Sequence, residues 1–192
     1  MYQISDGWMV FNDEFNEPLS SIVFTSGIQQ IKFGDNFNQD INNLPNSIIY
    51  LTFGWYFDQD VSKLPNRLAH LTFTGCFDQE MHNLPNSLTH LTFSWDFNQD
   101  VSNLPNSLTH LIFGYEFNQD VSQLPKSITC LKFSEWSYSR FNHNLNPYLY
   151  HLTEVNVKYT HKQKRLMLER CQINKHNSGI RKDKLIDLLL KN

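Results

Sequence analysis

Apolar and polar positions alternate in a short pattern that recurs every 20 residues along most of the chain. In one copy, Leu111 and Phe113 alternate with His110 and Ile112, which predicts a short strand whose leucine and phenylalanine face inward. A Leu-Pro pair precedes the strand. Proline has no backbone N–H to donate to a sheet, so it is expected before a strand and not within it. The phenylalanines that open the units keep the same phase, at Phe37, Phe57, Phe77, Phe97 and Phe117.

A period of this length is typical of a solenoid, in which stacked coils share one apolar core. The apolar positions between opening phenylalanine and strand, such as Val101, Leu104 and Leu108, fit either one turn of helix or an irregular arc. Weaker units begin at Phe15 and Phe141. We therefore predict an α/β solenoid, a leucine-rich-repeat-like stack of about seven coils of ~20 residues with a parallel β-sheet on one face.

The two ends of the chain depart from the repeat. Residues 1–14 are predicted to form an N-terminal cap segment, residues 15–157 the solenoid, and residues 158–192 a basic C-terminal helical cap. The tail holds 10 Lys+Arg and 3 Asp+Glu, whereas residues 1–157 hold 6 and 16, so an acidic body of net charge −10 carries a tail of +7. We interpret the tail's basic clusters as solvated helix faces, because no nucleic-acid-binding motif accompanies them.

Composition and motifs exclude several classes of function. The chain has no apolar run long enough to span a membrane and no secretory signal pattern at its start. Its three cysteines, Cys76, Cys130 and Cys171, are scattered, which indicates free thiols and an intracellular, cytoplasmic location. We find no phosphate-binding loop, metalloprotease motif or nucleophile elbow, so we expect neither an enzyme nor a cofactor.

One column of the predicted stack carries imidazoles on the open face of the sheet. A metal ion such as Zn²⁺ could bind these side chains. Ligands at the same register position of adjacent strands point in parallel directions, however, so we expect a stacked ladder of imidazole rings and not a metal site. The column contains Tyr50, His70, His90, His110 and Cys130, with His151 continuing it.

A second column carries carboxylates at a turn. Two interpretations are available: calcium offsets the repulsion between them, or the Asp and Asn side chains bond nearby backbone N–H groups and pair along the stack. We favour the second. The residues are Asp40, Asp60, Glu80, Asp100 and Asp120, beside Asn38, Asp58, Asp78, Asn98 and Asn118.

A third set of positions, just past each strand, varies between coils and often holds a large aromatic side chain. Such residues at the rim of a solenoid either form hot spots for a protein partner or pack over neighbouring strands. With the histidines His70, His90 and His110, they are the candidate partner-binding residues: Trp55, Tyr56, Trp95, Tyr115 and Trp136.

The repeated Phe-Asn-Gln, followed by Leu-Pro-x-Ser-(Ile/Leu)-x-x-Leu-x-Phe, resembles the FNIP repeat of the leucine-rich-repeat class, found in amoebae and the large DNA viruses that infect them. The resemblance covers roughly residues 15–155. It implies a non-enzymatic scaffold for protein–protein interaction, with a host factor as partner and the host cytoplasm as location if the protein is viral. Family members often carry an F-box; residues 1–14 hold none. The alternative is a substrate-recognition subunit of a ubiquitin ligase whose docking head another chain supplies.

Overall fold

The fold was taken from a computed structural model that describes residues 1–93 and 95–133. Within these residues, eight strands form one sheet in sequence order. They are β1 (Tyr2–Ser5), β2 (Trp8–Phe11), β3 (Gln30–Lys32), β4 (Tyr50–Phe53), β5 (His70–Phe73), β6 (His90–Thr92), β7 (His110–Phe113) and β8 (Cys130–Phe133). A short 3-10 helix lies at Leu19–Ser21.

The predicted parallel stacking of coils is confirmed by the strand register. From β2 to β8 each strand pairs in parallel with the next, and from β4 onward equivalent residues 20 apart lie opposite each other, as in Leu51↔Leu71 and Leu111↔Leu131. Constant register places every copy of a repeat position in one column, so a sequence column is also a structural one. The six described coils begin at Phe15, Phe37, Phe57, Phe77, Phe97 and Phe117.

The first 14 residues hold a β-hairpin that the sequence pattern did not reveal. Strand β1 pairs antiparallel with β2, and the connecting turn uses the left-handed conformation at Asp6 (φ 52°) and Gly7 (φ 80°). Aspartate and glycine are the residues that adopt this conformation at low cost, so the turn chemistry fits the hairpin. Strand β2 then begins the parallel stack by pairing with β3.

The arcs opposite the sheet are irregular, which decides between the two conformations left open by the sequence. In the four regular coils from Phe37 to Phe117 each arc is built from turns and contains no helix. The proline carbonyl of each Leu-Pro pair accepts a hydrogen bond from the amide three residues on, as from Leu68 to Pro65 and from Leu108 to Pro105, both at 3.0 Å. Each arc has too few residues between turns to nucleate a helix, so turns satisfy its backbone instead.

The core is a double row of phenylalanine rings, as predicted from the repeat. One row comes from the strand ends and the other from the coil openings, and rings of the two rows lie 3.6 Å apart between centroids at Phe93 and Phe97. Between coils the spacing is 5.8 Å for Phe73–Phe93 and 6.2 Å for Phe77–Phe97. Every ring in these pairs is at most 1% exposed. The stacked rings form a continuous apolar interior to which each coil contributes the same amount.

A row of Asn and Asp side chains connects successive coils on the polar side of the turn. The Oδ1 atom of Asn38 accepts the backbone N–H of Asp58 at 2.9 Å, and Asp58 does the same for Asp78 at 3.0 Å. Asp78 and Asn98 repeat the contact toward the next coil at 2.8 and 2.9 Å. These bonds confirm that the Asn and Asp residues satisfy nearby backbone amides. We call this row the Asx ladder.

The predicted C-terminal helical cap at 158–192, the seventh coil from Phe141, His151 and Trp136 lie outside the described residues.

Candidate interaction face

The open side of the sheet carries a column of flat side chains at the first position of strands β4 to β7. Its register is Tyr50↔His70, His70↔His90 and His90↔His110, and Cys130 follows opposite His110. The predicted column is therefore confirmed through Cys130. Because the next residue of each strand, such as Leu91, is fully buried, alternation directs this column away from the core.

The rings of this column stack face to face. Ring centroids lie 4.3 Å apart for Tyr50–His70 and 4.1 Å apart for both His70–His90 and His90–His110, with interplanar angles of 16°, 23° and 11°. The spacing is shorter than the usual distance between strands, so the rings lean together into contact. The expected imidazole ladder is confirmed, and its exposed part is the ring edges. We call the three histidines the imidazole ladder.

Two threonines fix the orientation of two of these rings. The hydroxyl of Thr89 lies 2.9 Å from Nδ1 of His90, and that of Thr109 lies 2.9 Å from Nδ1 of His110. Each hydroxyl also donates to a carbonyl of the preceding coil, at 3.1 Å, from Thr89 to Ala69 and from Thr109 to Thr89. His70 follows Ala69, which has no hydroxyl. The sequence pattern alone did not identify these threonines, although the repeated Thr-His pair marks them in hindsight.

Two rings of the ladder, His70 and His90, favour the neutral form. Desolvation by burial lowers the pKa of both from the usual 6.5; repulsion from His110 lowers the pKa of His70 further, and repulsion from His70 and then from His110 does so for His90. At neutral pH these rings therefore present nitrogen lone pairs and not positive charge.

Parallel rings are poorly arranged for a metal ion. Zinc takes ligands in tetrahedral directions, whereas the ring nitrogens of a stacked ladder point the same way. Among the residues that the structure describes, no group of three or more His, Cys, Asp or Glu side chains has a geometry suited to a metal.

Beside the imidazole ladder runs a second outward column, from the third position of each strand. It holds Thr52, Thr72, Thr92 and Ile112, all half-buried, between Lys32 in β3 and Lys132 in β8, and Val10 of β2 lies opposite Lys32. The centre of the open face therefore carries no charged residue, and its side chains are small or flat. Such a face can approach another protein surface closely without burying an unpaired charge.

The rim aromatics divide into buried and partly exposed residues. Trp55 and Trp95 are only 4% and 6% exposed, so they present little surface and pack within the rim. The Trp95 ring stacks on Tyr115 at 4.6 Å and 3°. Tyr56 and Tyr115 are half-buried and retain accessible surface beside the open face. Among the described candidates, the tyrosines and histidines are thus the ones that keep accessible surface.

The carboxylate column is engaged within its own turns. Asp60, Asp100 and Asp120 each accept two bonds from the serine two residues on, one from its amide and one from its hydroxyl, at 2.6–3.0 Å. These bonds, first from the serine hydroxyl and then from its amide, lower the pKa of all three carboxyls below 3.8. The expected turn chemistry is confirmed here.

In the part of the chain that the structure describes, no helix is long and apolar enough to cross a membrane.

Comparison with known proteins supports the repeat assignment. The FNIP Repeat model matches residues 15–54, 40–76, 77–104 and 100–135. Among solved structures, the chain is similar to CroV588, a giant-virus protein described as a novel circular LRR protein, at 46% identity and a TM-score of 0.60. The match covers 65% of this chain and 20% of CroV588, so the matched part of this chain spans about a fifth of that protein's length. A search of curated proteins gives no significant match. With matches that together span most of its length, the chain belongs to the FNIP repeat family.

Proposed function

We propose that this protein is a non-enzymatic scaffold that binds another protein through the open face of its parallel sheet. The observation that carries the proposal is the centre of that face: an ordered row of stacked ring edges beside small, uncharged side chains. A repeat scaffold of this class supports an interaction role, because a sheet of identical rows offers an extended and rigid surface.

Two features define the extent of the proposed contact. The imidazole ladder supplies His70, His90 and His110, and the rim supplies Tyr56 and Tyr115. Aromatic residues with a polar end are enriched at interface hot spots, because they bury a large area at low conformational cost. The likeness to a giant-virus protein supports a partner from the host cell.

A charge placed in the middle of the face tests this proposal. Thr72→Arg adds a long cation to the open face, whereas Asn103→Arg adds the same group to an exposed arc position, so the second variant is the matched control. In quantitative affinity capture, we expect the wild type and Asn103→Arg to retain a host protein. Thr72→Arg should lose that protein. With that partner purified, Thr72→Arg should raise Kd at least ~10-fold, since a desolvated, unpaired charge costs more than 1.4 kcal/mol. Equal retention by both arginine variants would contradict use of this face.

The ubiquitin-ligase role gives a different result in the same experiment. Ligase scaffold subunits would be recovered with the wild-type chain, together with the protein that binds the face. No contact among the described residues favours this role over a simple scaffold.

A further inference from the structure

The hydrogen bonds behind the imidazole ladder determine which nitrogen of each ring carries the proton. A threonine hydroxyl has one hydrogen. At Thr89 that hydrogen has two possible acceptors, the carbonyl of Ala69 at 3.1 Å and Nδ1 of His90 at 2.9 Å. The Ala69 carbonyl also accepts the backbone amides of Thr89 at 2.9 Å and of His90 at 3.0 Å. If the hydroxyl hydrogen pointed to Nδ1, the hydroxyl oxygen would still lie 3.1 Å from the carbonyl oxygen, with no hydrogen between the two oxygens.

The alternative arrangement satisfies both contacts. The hydroxyl donates to the Ala69 carbonyl, and Nδ1 carries a proton that it donates to the hydroxyl oxygen. Thr109 has the same two contacts with the Thr89 carbonyl and with His110. A neutral imidazole holds one proton, so Nε2 of His90 and of His110 is left as an acceptor with its lone pair outward.

From this geometry we infer that His90 and His110 form a pair of outward acceptors that selects a partner segment rich in Arg or Lys. The inference rests on the proposed function for its partner, but the protonation pattern belongs to the protein alone. Guanidinium and ammonium groups are donors without acceptor capacity, so they match the two acceptor nitrogens of His90 and His110.

Charge supports a basic occupant. Residues 1–133 contain 14 Asp+Glu and 5 Lys+Arg, a net charge of −9. Among the described residues, Lys32 and Lys132 of the second column lie in β3 and β8, at least two strands away from His90 in β6, so this column places no positive charge beside His90. A basic segment is therefore attracted by the body as a whole and meets acceptors at the centre of the face.

The protonation pattern is tested on the free full-length protein by two-bond ¹H–¹⁵N NMR of the imidazoles at pH 8. We expect His90 and His110 to carry the proton on Nδ1. Thr89→Val keeps the β-branched shape but removes the hydroxyl, so it should move the His90 proton toward Nε2 and leave His110 on Nδ1. Thr89→Ser, which restores a hydroxyl, should return His90 to Nδ1. A His90 proton on Nε2 in the wild type, or no response to Thr89→Val, would overturn the inference.

The partner chemistry is tested with a hexa-arginine peptide in the same NMR assay. We expect its addition to shift the Nε2 resonances of His90 and His110, and Thr89→Val to weaken the peptide at least ~3-fold while Thr89→Ser does not. A hexa-glutamate peptide should cause no shift. Unchanged Nε2 resonances of His90 and His110 on peptide addition, or equal affinity for wild type and Thr89→Val, would overturn the assignment of a basic partner. If Thr72→Arg captured the host protein as well as Asn103→Arg does, the proposed function would be overturned instead. The failure of the inference and the failure of the proposed function are therefore distinguishable.

Discussion

Replacing Phe97 by alanine tests the phenylalanine core at its centre. Phe97 is 1% exposed, and its ring centroid lies 3.6 Å from that of Phe93. The rings of the neighbouring coils, Phe77 and Phe117, lie at 6.2 and 6.1 Å on either side. Burying a phenylalanine contributes ~1.5–3 kcal/mol, and each lost ring pair adds ~0.5–1.5 kcal/mol. Because the backbone of a stacked coil is held by its neighbours on both sides, the gap closes only partly. These terms overlap and do not add in full, so we expect the free energy of unfolding to fall by ~3–5 kcal/mol, the usual range for such a change.

Urea titration followed by far-UV circular dichroism and by tryptophan fluorescence measures this loss. Two variants calibrate it: Asn103→Ala, an exposed arc residue of the same coil, should cost less than ~0.5 kcal/mol, and His90→Ser on the open face less than ~1.5 kcal/mol. If Phe97→Ala and His90→Ser cost the same, the assignment of the two faces of the sheet is refuted. If the two optical signals change at different urea concentrations, the coils unfold separately and each transition is fitted by itself.

Three further predictions concern single contacts. Asn98→Ala removes the acceptor for the Asn118 amide and should cost ~1–3 kcal/mol, whereas Asn98→Asp should cost much less, since aspartate occupies the same ladder position in other coils; urea midpoints compare them. Gly54→Ala should destabilise by ~1–3 kcal/mol or more, because the added Cβ would lie 2.1 Å from the Gly34 carbonyl oxygen; thermal unfolding that matches wild type would contradict this close approach. The free energy of unfolding should fall as pH drops below 6.5, because His90 is protonated more readily in the unfolded chain than in the folded ladder. Urea midpoints measured over a pH series should fall less steeply for His90→Gln than for the wild type.

The sequence predicted the regular part of the fold because one interaction is repeated without change. A fixed period of 20 residues places the repeated Leu, Phe and His positions in register, so Leu91, Phe97 and His90 could be assigned to faces from spacing alone. The same period predicted the contact between His90 and His110. The arcs could not be resolved in this way, because apolar spacings of four and three suit a helix and a pair of turns equally well.

Features outside the repeat were harder to predict. The hairpin of β1 and β2 depends on one turn at Asp6 and Gly7, and a strand of four exposed residues has no apolar alternation to reveal it. The burial of Trp55 and Trp95 depends on how neighbouring coils pack at the rim. A rim position that varies between coils can hold a residue that contacts a partner or one that fills the space between coils. The hydroxyl contacts behind the histidines depend on rotamers, which periodicity does not specify.

The Asx ladder allows the electrostatics of this protein to change independently of its shape. Asn38 and Asp58 make the same bond to the following coil, one as an amide and the other as an anion. Exchange between the two residue types at one step thus changes the net charge of the protein by one unit and keeps the same backbone hydrogen bond. An architecture of this kind can adjust its long-range attraction to ions and macromolecules one coil at a time, at almost no structural risk.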